Sequence, residues 1–304
     1  MKEYFIKAKD GLKLCVYESE LKKPKALIQI IHGMCEHKKR YAPFIDYLTR
    51  NGYVVIMSDN RGHGKSRSEE YVLGNTGSVE DMVSDQVVIT NHIKEVYPGL
   101  KLFLFGHSMG TLIVRSYLME HDSLVDGVIL SGAPCPNPMA WLATSLAHLK
   151  CKTMGYNESS KLLFYFVNNF SMENDLSWLS YNEENIAKYE KDPLCGFYFK
   201  NRGYLTLFQM VRLLKKSKKY KCTKSDMPIL LLSGKDDRTT GGEKGVANTV
   251  KALNKAGYKD VKHYEFDHMK HEILNEVNHM DVEQMALDTF NSWLWNIAIN
   301  VEVS

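Results

Sequence analysis

The 304 residues contain no apolar run of 18 or more, so nothing in the sequence is long enough to cross a bilayer as a helix. The opening stretch, Met1 to Gly11, lacks the apolar core of a secretory signal. Six cysteines, at positions 15, 35, 135, 151, 195 and 222, are scattered without a Cys-x-x-Cys pair. That is the pattern of reduced thiols in a cytoplasmic protein rather than of a disulfide scaffold. Charge of one sign is also scarce. Lys and Arg number 39 against 36 Asp and Glu, a net +3, too mild to argue for nucleic acid. Internal repeats and low-complexity tracts are absent. Eleven histidines invite a metal, and His268 and His271 stand three apart. No His-Glu-x-x-His set exists, however, and the spacing from Glu272 to His279 fits no zinc pattern, so neither metal nor cofactor is expected. Gly64-Lys65-Ser66 lacks the earlier glycine of a phosphate-binding loop.

What is present is a hydrophobic content of 44%, ordinary for one large α/β domain or a domain with an insertion. The most informative stretch is Leu102 to Val114. Leu102-Phe103-Leu104-Phe105 reads as a buried strand, Gly106-His107-Ser108-Met109-Gly110 is a G-x-S-x-G turn, and the apolar pattern after it fits a helix. That context makes the turn a nucleophile elbow. Gly106 and Gly110 let strand and helix approach without a Cβ clash. Ser108 takes the strained apex, above a helix N-terminus whose free N–H groups favour developing negative charge.

Around this stretch, strands and helices alternate. Asp10-Gly11 turns a first strand into a second, Leu12 to Tyr17. Lys25 to Ile31 is a near-continuous apolar run, as expected of a strand covered on both faces. Tyr41, Phe44, Ile45 and Leu48 follow helical spacing up to Asn51-Gly52. Tyr53 to Met57 is the next strand. Ser78 with Asp81 marks a helix start, and Val79, Met82, Val83, Val87 and Val96 carry that helix to Tyr97-Pro98-Gly99. Val128-Ile129-Leu130 is a strand ending at Ser131-Gly132. The strand rhythm resumes at Met227 to Gly234, a helix is expected over Glu243 to Ala256, a last strand over Val261 to Phe266, and a final helix over Asp281 to Trp295. Such alternation predicts a mostly parallel central sheet flanked by helices. The rhythm stops between Pro134 and Asp226, a mostly helical stretch rich in aromatics (Trp141, Phe164, Tyr165, Phe166, Phe170, Trp178). The expected organisation is therefore a core from 1–133 and 227–304, with a helical cap, 134–226, inserted after the strand that ends near Gly132. The cap is expected over the strand ends, where open α/β sheets place their sites.

A serine hydroxyl needs a base, and the base an orienting acid, in the chain order Ser, Asp or Glu, His. Candidate acids Asp236 and Asp237 follow one strand. Candidate bases His268 and His271 follow the last.

Several motifs together resemble the α/β-hydrolases of the monoacylglycerol lipase and lysophospholipase group, relatives of serine aminopeptidase-like hydrolases. His32-Gly33-Met34-Cys35-Glu36-His37 with Arg40-Tyr41 resembles that group's H-G-x-G-E-H-x-x-R-Y. Asp59 to Ser66 resembles its D-x-R-G-H-G-x-S, and Gly106 to Gly110 its elbow. His271 to Glu276 resembles the bacterial H-E-I-L-N-E ending. Trp178-Leu179-Ser180 and Asp192 to Gly196 match within the insertion. The resemblance implies the α/β-hydrolase fold, with Ser108 as nucleophile, Asp237 as orienting acid and His271 as base. Asp236 is left as a surface charge and His268 as a loop histidine. It also implies an oxyanion hole from the N–H groups of Met34 and Met109. Glu36, His37 and Arg40 would brace that loop, and Arg61 and His63 would be scaffolding. Two departures stand out. Cys35 replaces a usual glycine, and the stretch before His271 is about two residues longer.

The implied substrate is a small lipid ester, a monoacylglycerol or lysophospholipid. Small-ester and peptidase chemistry share the elbow and stay open, and a non-catalytic binding protein is disfavoured because no triad member is missing. Met139, Leu142, Leu146 and Leu149 would share one face of a helix, with Trp141 off it. Leu162 to Val167 is apolar all round and must be buried or meet lipid. From these, Trp141, Leu142, Leu146, Phe164 and Phe166 are expected to line an acyl passage, against the plainer reading that they pack the insertion onto the core. The basic run from Arg212 to Lys224 reads as a solvated helix end, or else as attraction to an anionic membrane surface. The expected location is cytoplasmic, peripheral to a membrane under that second reading. Oligomeric state is left open.

Overall fold

The computed structural model describes residues 1–167 and 175–295. Strands β1 (Lys2–Lys7) and β2 (Lys13–Glu18) form an antiparallel hairpin. Strands β3 (Ala26–Ile31), β4 (Tyr53–Ser58), β5 (Leu102–His107), β6 (Gly127–Ser131), β7 (Ile229–Gly234) and β8 (Val261–Phe266) pair parallel to one another. One eight-stranded sheet results, in the order β1-β2-β4-β3-β5-β6-β7-β8. The apolar runs of the central strands serve two cores. Leu102 and Leu104 face one cluster of buried side chains, Phe103 and Phe105 the other. This is why those strands show no alternation of apolar and polar residues.

Helices α1 (Ala42–Arg50), α2 (Val79–Val96), α3 (Met109–His121), α8 (Gly242–Ala256) and α9 (His279–Trp295) cover the two faces. The start of α2 carries a reciprocal capping box between Ser78 and Asp81. Helix α9 begins two residues before the expected Asp281, and β5 continues through Gly106 and His107. β3 lies between β4 and β5, so the winding direction reverses beside it. The crevice at the carboxyl ends of β3 and β5 is where such a sheet leaves room for a site.

Between β6 and β7 come α4 (Ala140–Met154), α5 (Lys161–Val167), α6 (Glu183–Lys191) and α7 (Asn201–Leu213). Helix α4 corrects the expected orientation. Its buried face is Ala140, Ala143, Thr144, Ala147 and Cys151. Met139, Leu142 and Leu149 are exposed, and Trp141 is 60% exposed. Small side chains permit a close approach to α7, and the large apolar ones are left outside. Phe170 lies outside the described residues. Among the described residues no helix is long and apolar enough to cross a membrane.

Candidate active site

Ser108 sits between β5 and α3 at φ 51°, ψ −119°, a conformation that costs a non-glycine residue of order 1–3 kcal/mol. The neighbouring glycines permit it. A Cβ on Gly110 would lie 2.1 Å from the Ile31 carbonyl oxygen, and one on Gly106 2.9 Å from that of Gly110. The hydroxyl therefore projects from the carboxyl end of the sheet.

Two loops bring their side chains to it. His271 Nε2 lies 2.7 Å from Ser108 Oγ, and His271 Nδ1 lies 2.9 Å from Asp237 Oδ2. Asp237 is held in turn: its Oδ1 accepts from the Thr239 N–H at 2.8 Å and the Thr239 hydroxyl at 2.7 Å. The rivals are elsewhere. His268 is exposed, and Asp236, also exposed, accepts from the Tyr181 hydroxyl at 3.1 Å.

Asp237 and His271 are both buried. Burial disfavours the imidazolium, but the Asp237 carboxylate overrides it and holds the His271 pKa above the ordinary 6.5. Burial likewise works against the Asp237 charge, and His271 with the Thr239 donors still lowers its pKa. The His107 ring lies 4.9 Å from that of His271, and burial together with that neighbour pushes it down to about 4. The sequence offers no signal for His107, nor for Thr239 beyond its place two residues after Asp237. Trp178 was visible only as part of a motif, and its ring packs 4.9 Å from His271.

The loop after β3 faces the same hydroxyl. Gly33 N–H donates to Glu36 Oε1 at 2.6 Å, and Tyr41 OH donates to the same oxygen at 2.8 Å. Arg40 bridges Glu36 and Glu272, making a bidentate pair with the latter. His37 contacts Asp192 at 2.8 Å. Arg61 is buried against Asp85, and His63 packs between Phe197 and Phe199. Cys35 adopts φ 54°, the left-handed region that glycine enters without steric cost. Its carbonyl accepts from Gly196 N–H and Tyr189 OH, each at 3.0 Å, and its thiol donates to the Phe197 carbonyl at 2.9 Å. Met34 and Met109 both border the cavity in front of Ser108, and the backbone N–H groups of both are without an acceptor among the described residues.

That cavity holds about 520 Å³ and is mostly apolar. Phe164 and Phe166 line it, as do Met139, Ala140 and Ala143 of the α4 segment. Trp141, Leu142 and Leu146 do not: the first two point to solvent, and Leu146 packs against the core. Asn137 and Arg238 add polar groups to the wall. The basic run begins at Arg212, next to the cavity-lining Val211, and leads away from this opening. Lys221 N–H bonds the carbonyl of Met119, at the far end of α3 from Ser108, about 15 Å of helix away.

An elbow serine, an imidazole and a buried carboxylate at the carboxyl edge of this sheet define an α/β-hydrolase with the geometry of a serine ester hydrolase. The family described as "Serine aminopeptidase, S33" matches residues 22–278, and the chain belongs to it. It is 32% identical over 267 residues to the monoglyceride lipase of Homo sapiens, covering 86% of this chain and 82% of that one. Identity to the Rattus norvegicus monoglyceride lipase is 30% over 284 residues, covering 92% and 86% respectively. Among solved structures, a monoacylglycerol lipase of Paleococcus ferrophilus superposes with a TM-score of 0.71 at 25% identity, covering 93% of this chain and 99% of that one.

Proposed function

We propose that the protein hydrolyses carboxylic esters of single-chain lipids, monoacylglycerols or lysophospholipids, through an acyl-enzyme on Ser108. The observation that carries this reading is that the Ser108–His271–Asp237 chain opens onto an apolar cavity large enough for an extended ligand. The names of the relatives, monoglyceride lipases, support it.

On this reading Ser108 Oγ attacks the ester carbonyl while His271 Nε2 takes its proton. The oxyanion is met by the N–H groups of Met34 and Met109, each worth roughly 3 kcal/mol. His271 then returns the proton to the departing alcohol oxygen. A water that yields its proton to His271 next attacks the acyl-serine, and Ser108 is regenerated. Asp237, fixed by Thr239, remains charged and stabilises the imidazolium. Residues 134–226 act as a cap over this chemistry, with Phe164 and Phe166 against the acyl chain. Each buried methylene contributes up to about 0.8 kcal/mol. Helix α4 lines the cavity with its small face and turns Trp141, Leu142 and Leu149 outward, which suits peripheral contact with the membrane that holds such a substrate.

The test is kcat/KM on glycerol monoesters of increasing acyl length. The expected result is a rise towards medium or long chains, with both turnover and fluorophosphonate labelling abolished in Ser108→Ala. A maximum at two to four carbons would instead favour a small-ester esterase or peptidase.

A further inference from the structure

A second group of reactive side chains lies on the other side of the loop after β3. His37 Nε2, a carboxylate oxygen of Asp192 and Cys195 Sγ all lie within 4.8 Å of one another. His37 and Cys195 are buried, and Asp192 is a third exposed, which leaves an approach from solvent on its side. The two cap ligands share one tight turn. Asp192 Oδ1 takes the Leu194 N–H at 2.9 Å, and the Asp192 carbonyl takes the Cys195 N–H at 2.9 Å. Oδ2 is thereby aimed at His37, at 2.8 Å. The neighbouring cation, Arg40, is already neutralised by Glu272 and Glu36. Cys35, the other thiol nearby, is committed to the Phe197 carbonyl.

We propose that His37, Asp192 and Cys195 form a binding site for a zinc-class divalent ion that ties the loop after β3 to the cap. The chemistry selects the ion. One imidazole, one carboxylate and one thiolate suit Zn²⁺ or Co²⁺, whereas Mg²⁺ and Ca²⁺ require oxygen ligands. Zinc bonds of about 2.0–2.3 Å put tetrahedral ligand atoms roughly 3.5 Å apart, so separations now within 4.8 Å need change by no more than about 1.3 Å to bring these three into range. The fourth position falls to water. On binding, the Cys195 S–H bond breaks, a sulfur–metal bond forms, and the proton passes to solvent. The ion also replaces the direct contact between His37 and Asp192. It takes no part in ester cleavage, because its ligands are not those that meet Ser108. Its effect is mechanical: it pins Cys195-Gly196, whose backbone already holds Cys35, against the loop that carries Met34.

The test uses the full chain, stripped with a chelator and titrated with Co²⁺. One equivalent should produce a thiolate-to-cobalt charge-transfer band and the strong visible bands of a four-coordinate ion, both removed by Zn²⁺. Cys195→Ala should abolish the charge-transfer band and weaken Co²⁺ binding at least tenfold, and Asp192→Asn should weaken binding as well. His271→Ala should leave the spectrum unchanged. Zn²⁺ should raise the thermal midpoint of the unaltered protein but not that of Cys195→Ala. Absence of a thiolate band, a band of equal strength in Cys195→Ala, or its loss in His271→Ala would each overturn the proposal.

Discussion

Residues 176–192 and helix α4 belong to the same excursion from the sheet, yet they meet the core through different forces. The first stretch is tied by directional bonds. Leu179 carbonyl accepts from Glu272 N–H at 2.8 Å, and Lys270 Nζ donates to the Ser177 carbonyl at 2.6 Å. The buried Glu276 carboxylate gathers the Ser180 hydroxyl at 2.8 Å, the Tyr181 N–H at 3.0 Å and the Lys270 N–H at 2.9 Å. The loop that carries His271 and this part of the excursion are thus one hydrogen-bonded unit. Helix α4 instead lays alanines on α7, and among the described residues none of its hydrogen bonds reaches the loops bearing Ser108, Asp237 or His271. Hydrogen bonds weaken steeply with angle and hold a group in place. Apolar packing is non-directional and lets a helix slide. One half of the excursion is built to position, the other to accommodate.

The largest expected effect comes from cutting the directional half. Glu276→Ala leaves the buried Ser180 hydroxyl and the partly buried Tyr181 and Lys270 N–H groups without their acceptor and should cost roughly 3 kcal/mol of stability, read by denaturant unfolding. It should also lower kcat by about 10²-fold on a soluble short ester as His271 drifts. Stability loss with kcat intact would break the link between clamp and base.

Trp178→Ala comes next. Loss of the ring against His271 removes about 1 kcal/mol, roughly fivefold in kcat/KM. It also admits water, relieves the burial that opposes the imidazolium, and moves the acid limb of kcat/KM to higher pH. The sign follows from the raised His271 pKa. Activity needs neutral His271, so it falls as pH drops through a midpoint above 6.5. Stability runs the other way. The contribution of charged His271 is complete below 6.5 and is lost as pH rises through the raised value. An acid limb that moves down, or stays put, would show that Trp178 does not cover the base.

The smallest effect belongs to the accommodating half. The double change Trp141→Gln and Leu142→Gln should alter stability by no more than about 0.5 kcal/mol and leave turnover of a soluble ester within twofold. Sedimentation with lipid vesicles should fall. Unchanged vesicle binding would remove α4 from the membrane-facing surface.

Much of the fold is legible because local and global preferences agree. The capping residue Ser78, the stop at Asn51-Gly52 and the apolar strands each state one structure, and the sheet needs no other. Ser108, Asp237 and His271 are legible for a similar reason: each stands just past a strand, so chain order reports space. The α4 face was misjudged because size and apolarity suggest burial, whereas close helix contact selects small residues. Leu142 and Leu146 satisfy the periodicity, but Ala143 and Ala147 satisfy the packing. The roles of Glu276 and Thr239 are not legible because their partners mix backbone N–H groups with side chains that only the folded loops bring near. The convergence of His37 with Cys195 is likewise set only by the path the chain takes between β6 and β7.

Cys35 precedes Tyr189 by 154 residues, and its left-handed turn is held by Tyr189 and Gly196. During synthesis the chain therefore makes Ser108 before the residues that hold the turn at Cys35, with His271 later still. On the proposed reading, until Asp237 and His271 follow, Ser108 stands on the sheet with nothing to activate it. On that reading, the capacity to cleave lipid arrives only once His271 has followed Ser108 and Asp237 out of the ribosome.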